Sequence, residues 1–380
     1  MEQTVPPRHV MILYLNTGNG HLAQARVLKQ AINEVAPSVR VSLVNGFARN
    51  NRFASLIFEK FYFFACNFIP GLFPLIYDIS QPRAMQSLLC GLVGLKTTRH
   101  MIQLIQKNSV TDIVSMHFAL TPFARRAITR LHKKINLTVH CTDPFTGPNS
   151  WFFEKNVDYL VSSEEFRQVA ITRNQIPPEK VHVMPFLLDK KFHVPVCDAE
   201  KRALRRQFGF DENRRVVLIA GGGEGLPGSM KIVNQCILHR AKFSVAVVCG
   251  RNKALLNSLR ILKKTSRLDL HVYGFVNCMD SLIKLSDVVV SKAGTSSVLE
   301  VLSSHKPVII SRYIHNQELG NMRFVVNNHV GSFIRHSSQI YKKLAQMLQS
   351  DESYERAAGR FHGLDLDFDA HKTARYILEK

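Results

Sequence analysis

The stretch from Val288 to Gly331 constrains the fold more tightly than any other. A β-branched run, Val288-Val289-Val290-Ser291, breaks at Lys292-Ala293-Gly294 and passes into Thr295-Ser296-Ser297 and a helical pattern through Glu300. That sequence describes a parallel strand feeding a helix, with the turn at the carboxyl edge of a sheet. Lys306-Pro307-Val308-Ile309-Ile310 supplies the next strand, and Asn316-Gln317-Glu318-Leu319-Gly320-Asn321 forms a polar cluster beyond it. Open α/β sheets bind ligands at this edge. Backbone N–H groups at the helix start favour an anion, and the polar cluster offers partners for sugar hydroxyls, so the stretch reads as a nucleotide-sugar site.

A second strand-turn-helix unit opens the chain. His9 to Leu15 is a buried-strand pattern that ends in Asn16-Thr17-Gly18-Asn19-Gly20-His21, and an amphipathic helix follows through Leu22, Ala25, Leu28 and Ile32. The glycines let another molecule approach the backbone, which puts His21 in the first helical turn and makes it a candidate general base. A lone histidine is more often structural, and that reading stays beside the catalytic one.

Between these two units strands and helices alternate. Strands are expected at Arg40–Val44, Asp112–Met116, Leu137–Cys141, Tyr159–Ser162 and Val181–Phe186, with helices at Met85–Gln106, Thr121–Leu131 and Glu164–Arg173. His117, Thr142 and Asp143 all fall just past strand ends. Asp143 could orient a catalytic histidine or a substrate hydroxyl, or it could cap the turn before Pro144.

After a linker around Leu187–Val196 the alternation begins afresh. Strand Arg215–Ala220 runs into Gly221-Gly222-Gly223-Glu224-Gly225-Leu226-Pro227-Gly228, whose N–H groups could approach a diphosphate. This turn is neither G-x-x-x-x-G-K-[ST] nor a good G-x-G-x-x-G, so a P-loop ATPase or dinucleotide domain is poorly supported. Strands Ser244–Cys249, His271–Phe275, Asp287–Ser291 and Val308–Ser311 complete a second sheet. Helical patterns at Ile340–Leu348 and Ala357–Leu378 close the chain, the latter interrupted around Gly359, Gly363 and Asp365–Asp369.

With 380 residues, two domains of roughly 150 to 200 residues each are the default. The expected division is an acceptor-facing domain at 1–190, a donor domain at 191–355, and a C-terminal helix at 356–380 that could pack back on the first domain. Fifty Lys and Arg against 29 Asp and Glu leave a formal net charge of +21, which points to an anionic partner. Seven cysteines, an odd number without a C-x-x-C pair, fit neither a disulfide framework nor a zinc site. The N-terminal residues Met1 to Pro7 lack the basic and apolar regions of a signal peptide, so a cytosolic start is expected.

Phe53 to Ile79 is the least ordinary segment, dense in Phe58, Phe61, Tyr62, Phe63, Phe64, Phe68, Phe73 and Tyr77. Asn67, Pro70, Gly71, Pro74 and Asp78 interrupt it, whereas a spanning helix needs about 20 consecutive apolar residues. It reads as two short helices that lie on a membrane, with Arg49, Arg52, Lys60 and Arg83 against an anionic leaflet. The competing reading is an aromatic-rich pair of core helices.

Taken together, Gly221-Gly222-Gly223-Glu224-Gly225, Lys292-Ala293-Gly294, Glu300, and Gln317-Glu318 with Gly320-Asn321 resemble the monogalactosyldiacylglycerol synthases and the bacterial diacylglycerol glucosyltransferases. These are GT-B glycosyltransferases, and the resemblance covers essentially the whole chain. It implies an α/β architecture of two Rossmann-like doubly wound domains with an interdomain cleft. It further implies inverting transfer of a hexose from a UDP-sugar to a lipid hydroxyl, with no cofactor, no bound metal and no nucleic-acid partner. The enzyme would act peripherally, on the cytoplasmic face of a membrane.

On this resemblance His21 and Asp143 are the catalytic residues. Gly222, Gly223, Gly294, Thr295 and Ser296 would hold the diphosphate, Glu300 the ribose, Gln317, Glu318 and Asn321 the donor sugar, and Phe275 and Val276 the uracil. Phe61, Phe64, Phe68, Phe73 and Tyr77 would serve the lipid and the membrane. Ser297-Val298-Leu299-Glu300 also fits a capping box, a second reading for Glu300. The run Thr142 to Trp151 lacks a histidine that relatives often carry there. Within the same class, a GlcNAc transferase to a lipid-linked peptidoglycan precursor is the alternative, and from another class a non-catalytic membrane-binding protein on the same scaffold.

Overall fold

The computed structural model describes residues 8–15, 19–47, 78–79, 83–314, 316–364 and 366–380. The aromatic positions Phe61, Phe64, Phe68, Phe73 and Tyr77 lie outside the described residues. The chain divides into two compact units. One runs to Leu187 and takes back Asp367–Lys380 together with 315–317, and the other comprises Leu188–Ile314 and Glu318–Leu366.

The first unit contains, in order, β1 (His9–Tyr14), α1 (Asn19–Val35), β2 (Arg40–Asn45), α2 (Arg83–Asn108), β3 (Asp112–Ser115), α3 (Thr121–Leu131), β4 (Asn136–His140), β5 (Asp158–Val161), α4 (Glu164–Gln168) and β6 (Val181–Val183). The six strands form a sheet of order β2-β1-β3-β4-β5-β6. Every adjacent pair is parallel. β1 is buried on both faces, as its unbroken apolar run requires. Met11, Leu13, Phe123 and Ala127 pack in the core on one face of the sheet, and Val10, Ile12, Leu28 and Ile32 in the core on the other. Helix α3 begins with Pro122 in its first turn and stops at His132, whose φ is 50°.

The second unit contains α5 (Lys190–His193), α6 (Asp198–Gln207), β7 (Val216–Ala220), α7 (Ser229–Leu238), β8 (Ser244–Val248), α8 (Lys253–Thr265), β9 (Leu270–Tyr273), α9 (Met279–Leu285), β10 (Val288–Lys292), α10 (Thr295–Ser303), β11 (Val308–Arg312), α11 (Leu319–Asn327), β12 (Gly331–Phe333), α12 (Ser337–Met347) and α13 (Asp351–Ala358). The strand order is β12-β11-β10-β7-β8-β9, again parallel throughout. Sequence patterning marked five of these strands. β12 escaped it because Gly331-Ser332-Phe333 is three residues long and carries no β-branched side chain.

Helix α14 (Ala370–Leu378) closes the first unit by packing Ala374 and Ile377 with Ala25, Leu28 and Ile32 of α1. Arg8 ties down its last turn. The guanidinium donates to the Ile377 carbonyl at 2.9 Å and to the Leu378 carbonyl, and pairs with Asp112 at 2.8 Å. A cation at a helix C-terminus satisfies carbonyls that have no partner inside the helix.

Both sheets reverse direction of winding. In the first unit the chain leaves β1 to one side for β2 and to the other for β3. In the second it leaves β7 toward β8 and later returns to β10 on the opposite side. Turns at such a switch point diverge and leave a crevice at the carboxyl edge of the strands. The elements that matter here are the start of α1, the segment after β3, and the turns after β7 and β10.

The opposite edge of the second sheet is closed by charge. Asp287, fully buried ahead of β10, accepts from Lys201 at 2.7 Å, Arg205 at 2.6 Å, Arg215 at 3.1 Å and the Val216 N–H at 2.7 Å. Burial by itself would raise this carboxyl, but Lys201, Arg205 and the Val216 N–H outweigh it and hold the pKa below the usual range. Removing one partner of such a cluster strands buried charges, so Asp287→Ala is expected to cost about 3–5 kcal/mol of stability. Urea unfolding of the variant measures this, and a loss below about 1 kcal/mol would show that the cluster is not structural.

Candidate functional site

In the first unit the switch point brings two imidazoles together. His21 stands in the first turn of α1, just after β1, and His117 follows β3. Their ring centroids are 4.8 Å apart at 54°. His21 Nδ1 lies 3.0 Å from the Met116 carbonyl and 2.9 Å from the Thr142 hydroxyl. A carbonyl only accepts, so Nδ1 carries the proton and donates it, leaving the lone pair on Nε2. Burial pushes the ring's pKa down to about 4, partly offset by the Met116 carbonyl, so the ring is neutral near pH 7. A neutral imidazole with Nδ1 anchored and Nε2 unprotonated is in the state a general base requires.

The supports of His21 come from two strand ends and from its own helix. Gln24, one turn along α1, donates to the Thr142 carbonyl at 3.2 Å and fixes the turn that presents the Thr142 hydroxyl. Asp143, expected to be catalytic, is buried, and its Oδ2 accepts the Trp151 indole N–H at 2.7 Å. The groups on His21 Nδ1 are thus a carbonyl and a hydroxyl. Strand-end position flagged Thr142, whereas Gln24 and the Met116 carbonyl gave no signal, because a backbone oxygen and a glutamine three residues after a histidine are ordinary in any sequence.

In the second unit the Gly222–Gly223 turn follows β7. Gly222 has φ +85°, open to glycine and strained for other residues. Gly250, at the end of β8 with φ +59°, lets the turn close. A Cβ there would lie 2.2 Å from the Gly223 carbonyl oxygen, and the adjacent Arg251 N–H donates to that oxygen at 2.7 Å. The Arg251 guanidinium lies 4.7 Å above the half-exposed Phe275 ring, and Val276 follows, partly buried.

Gly294 is the N-cap of α10, which leaves the first-turn N–H groups of Thr295 and Ser296 without acceptors inside the helix. Lys292 stands beside both turns. Its Cε is 3.9 Å from where a Gly222 Cβ would be, and its Nζ donates to Glu318 Oε1 at 2.8 Å. Glu318 Oε2 also accepts the Ile314 N–H at 2.8 Å. Gln317 sits partly buried in the turn before α11. Asn321, expected to touch a donor sugar, is completely buried. Its Nδ2 donates to the Ala293 carbonyl at 2.8 Å and to Thr295 Oγ1 at 3.3 Å, so it shapes the turn from behind.

Glu300 is not a helix cap. With Gly294 as the N-cap, Ser297 and Glu300 lie inside α10 and the capping-box geometry is absent. Burial pushes the Glu300 carboxyl up to about 8, opposed by Lys191 and reinforced by Asp280 and Asp189. Burial thus favours its protonated form. Among the described residues, no group of three His, Cys, Asp or Glu side chains could hold a metal ion.

Residues 21–184 match the family model for monogalactosyldiacylglycerol (MGDG) synthase, and residues 216–360 that for the glycosyltransferase family 28 C-terminal domain. Monogalactosyldiacylglycerol synthase 1 of Arabidopsis thaliana is 28% identical over 351 residues, covering 89% of this chain and 64% of the plant protein. A probable monogalactosyldiacylglycerol synthase of Nicotiana tabacum is 27% identical, covering 90% and 65%. The chain thus spans about 65% of the length of these plant relatives. The processive diacylglycerol beta-glucosyltransferase of Bacillus pumilus is 23% identical, covering 98% and 95%. Among solved structures, Acinetobacter baumannii MurG superposes with a TM-score of 0.65 at 14% identity, covering 98% of this chain and all of that one. Anabaena Alr3699/HepE in complex with UDP-glucose superposes at 0.60 and 13%, covering 98% of each. Both share the two-domain Rossmann-like fold.

A carboxyl whose pKa is raised by folding withdraws stability as pH climbs from its unfolded value, about 4.3, toward 8. Glu300→Gln removes that penalty. It should therefore raise unfolding free energy near pH 8.5 by on the order of a few kcal/mol and leave it unchanged near pH 4.5. Urea unfolding at both pH values is the measurement, and an equal effect at both would contradict the assigned burial.

Proposed function

We propose that the protein, whose residues 21–184 match the model for monogalactosyldiacylglycerol synthase and whose residues 216–360 match that for the glycosyltransferase family 28 C-terminal domain, moves a hexose from a UDP-sugar to a lipid hydroxyl of the diacylglycerol type, with inversion at the anomeric carbon. The observation that carries this reading is the anchored His21 ring, neutral and with Nε2 available, at the switch point of the first sheet. The names of the relatives supply the substrate class.

In the proposed reaction the first unit provides the base. His21 Nε2 takes the proton of the acceptor hydroxyl as its oxygen forms a bond to the anomeric carbon. The bond from that carbon to the UDP oxygen breaks on the opposite face, and its electron pair leaves with UDP. A buried imidazole of low basicity becomes effective when the hydroxyl loses its proton late, as the new bond forms.

The turns after β7 and β10 and the residues just before α11 bind the donor. The N–H groups at the start of α10 and in the Gly222–Gly223 turn meet the diphosphate, with the hydroxyls of Thr295 and Ser296 beside them. Lys292 adds a positive charge, so the developing negative charge on UDP is met by the role a metal would otherwise fill. Glu300 takes the ribose diol, Gln317 and Glu318 the sugar hydroxyls, and Phe275 with Val276 the uracil. Glu318 is held ready by Lys292 and the Ile314 N–H.

We place the reaction at the cytoplasmic face of a membrane, with an anionic lipid surface as partner and no nucleic acid. The net charge of +21 supports contact with an anionic surface. No described helix is long and apolar enough to cross a membrane.

The test is to incubate the protein with labelled UDP-glucose, UDP-galactose or UDP-GlcNAc and diacylglycerol vesicles, and to separate the lipids. At least one hexose donor should yield labelled glycolipid, and folded protein that labels no lipid from any donor would refute the reading. His21→Ala should lower turnover by about 100-fold or more while UDP binding by calorimetry stays within about twofold.

A further inference from the structure

His117 has a hydrogen-bonding state opposite to that of His21. Its Nδ1 accepts the Ala119 N–H at 3.2 Å, where it caps the short helical turn Phe118–Leu120. A neutral ring that accepts at Nδ1 must carry its proton on Nε2. The two adjoining rings therefore offer complementary nitrogens, a lone pair on His21 Nε2 and an N–H on His117 Nε2.

The cap alone does not account for an imidazole. Ser, Thr, Asp or Asn would cap that turn better and at lower cost in buried volume. The surrounding residues fix the backbone of this turn and pack against the ring. Ser115 donates to the His117 carbonyl at 3.1 Å, Thr121 donates to Ser115 at 3.0 Å, and Phe118 packs against the ring at 4.5 Å between centroids.

An alcohol oxygen that attacks carbon has one proton to lose and two lone pairs, one for the new bond and one to spare. We propose that His117 is a second acceptor-binding residue, whose Nε2–H donates a hydrogen bond to the spare lone pair of the nucleophilic hydroxyl while His21 Nε2 receives its proton. The inference rests on the transferase reading above. With the hydroxyl held at both its proton and its spare lone pair, the remaining lone pair has one direction left to point, toward the anomeric carbon. The proton ends on His21, the new bond uses the oxygen's own pair, and UDP leaves with the old one. His117 exchanges no proton.

The experiment compares His117→Gln, His117→Asn and His117→Leu in the full chain, with the hexose donor that the wild type uses and diacylglycerol vesicles. Asn keeps an acceptor for the Ala119 N–H but does not reach the Nε2 position. Gln can place an amide N–H near that position, and Leu can do neither. His117→Asn and His117→Leu should both lose about 10- to 100-fold in kcat/KM for the lipid, with UDP affinity unchanged. His117→Gln should recover several-fold of that loss. Wild-type kinetics in His117→Asn, or equal losses in Gln and Leu, would reduce His117 to a cap and overturn the proposal. Failure of the wild type itself to label lipid would instead bring down the transferase reading, and this inference with it.

Discussion

The reversal of strand order within each sheet is the constraint on which the rest depends. A parallel sheet whose crossovers all ran one way would cover its carboxyl edge evenly with turns. Here the chain departs from β1 and from β7 in one direction and resumes on the other side, which parts the turns at one place in each unit. His21 and His117 arrive at the first parting, and the Gly222–Gly223 turn and the start of α10 at the second. Residues far apart in sequence become neighbours because β1 and β3, and likewise β7 and β10, are adjacent strands.

Electrostatics then divides the second unit into two edges with different tasks. At the amino edge Asp287 is saturated by three cations and a backbone N–H, an arrangement that secures structure and leaves little for a ligand. The carboxyl edge presents helix-start N–H groups, Lys292, and a Glu300 carboxyl whose protonated form burial favours. For the donor proposed above, a Glu318 carboxylate already paired to Lys292 and a Glu300 carboxyl raised by burial add little repulsion. In the first unit burial keeps both histidines neutral, and the local acceptors and donors decide which nitrogen carries each proton.

Much of this was legible in the sequence, and for definite reasons. Parallel strands buried on both faces write themselves as apolar runs, so β1, β7 and β10 stand out, and glycines at strand ends mark the turns. Helix α3 was legible to its end residues, because Pro122 opens it and an apolar stripe runs to Leu131. Residues 164–173 were read as one helix, but an α-helical turn passes at Val169 into a π-helical one, a change of hydrogen-bond register that residue types do not announce. The capping box at Ser297–Glu300 matched in pattern and failed in place, since the helix begins two residues earlier at Thr295. A motif fixes spacing, and only the backbone shows where the first turn starts.

By itself the sequence determined the fold class, the glycine-rich turn after β7, and the residue types offered at each strand end, because period, glycine position and strand length are local properties. Tertiary structure alone decided strand order, and with it which turns share a crevice. It decided that Asn321 braces the Ala293–Thr295 turn instead of facing it, and that His21 is anchored by the Met116 carbonyl and Thr142. It also decided the protonation of His21, His117 and Glu300. Burial and partner identity set those states, and both are properties of the packed chain that no stretch of sequence carries alone.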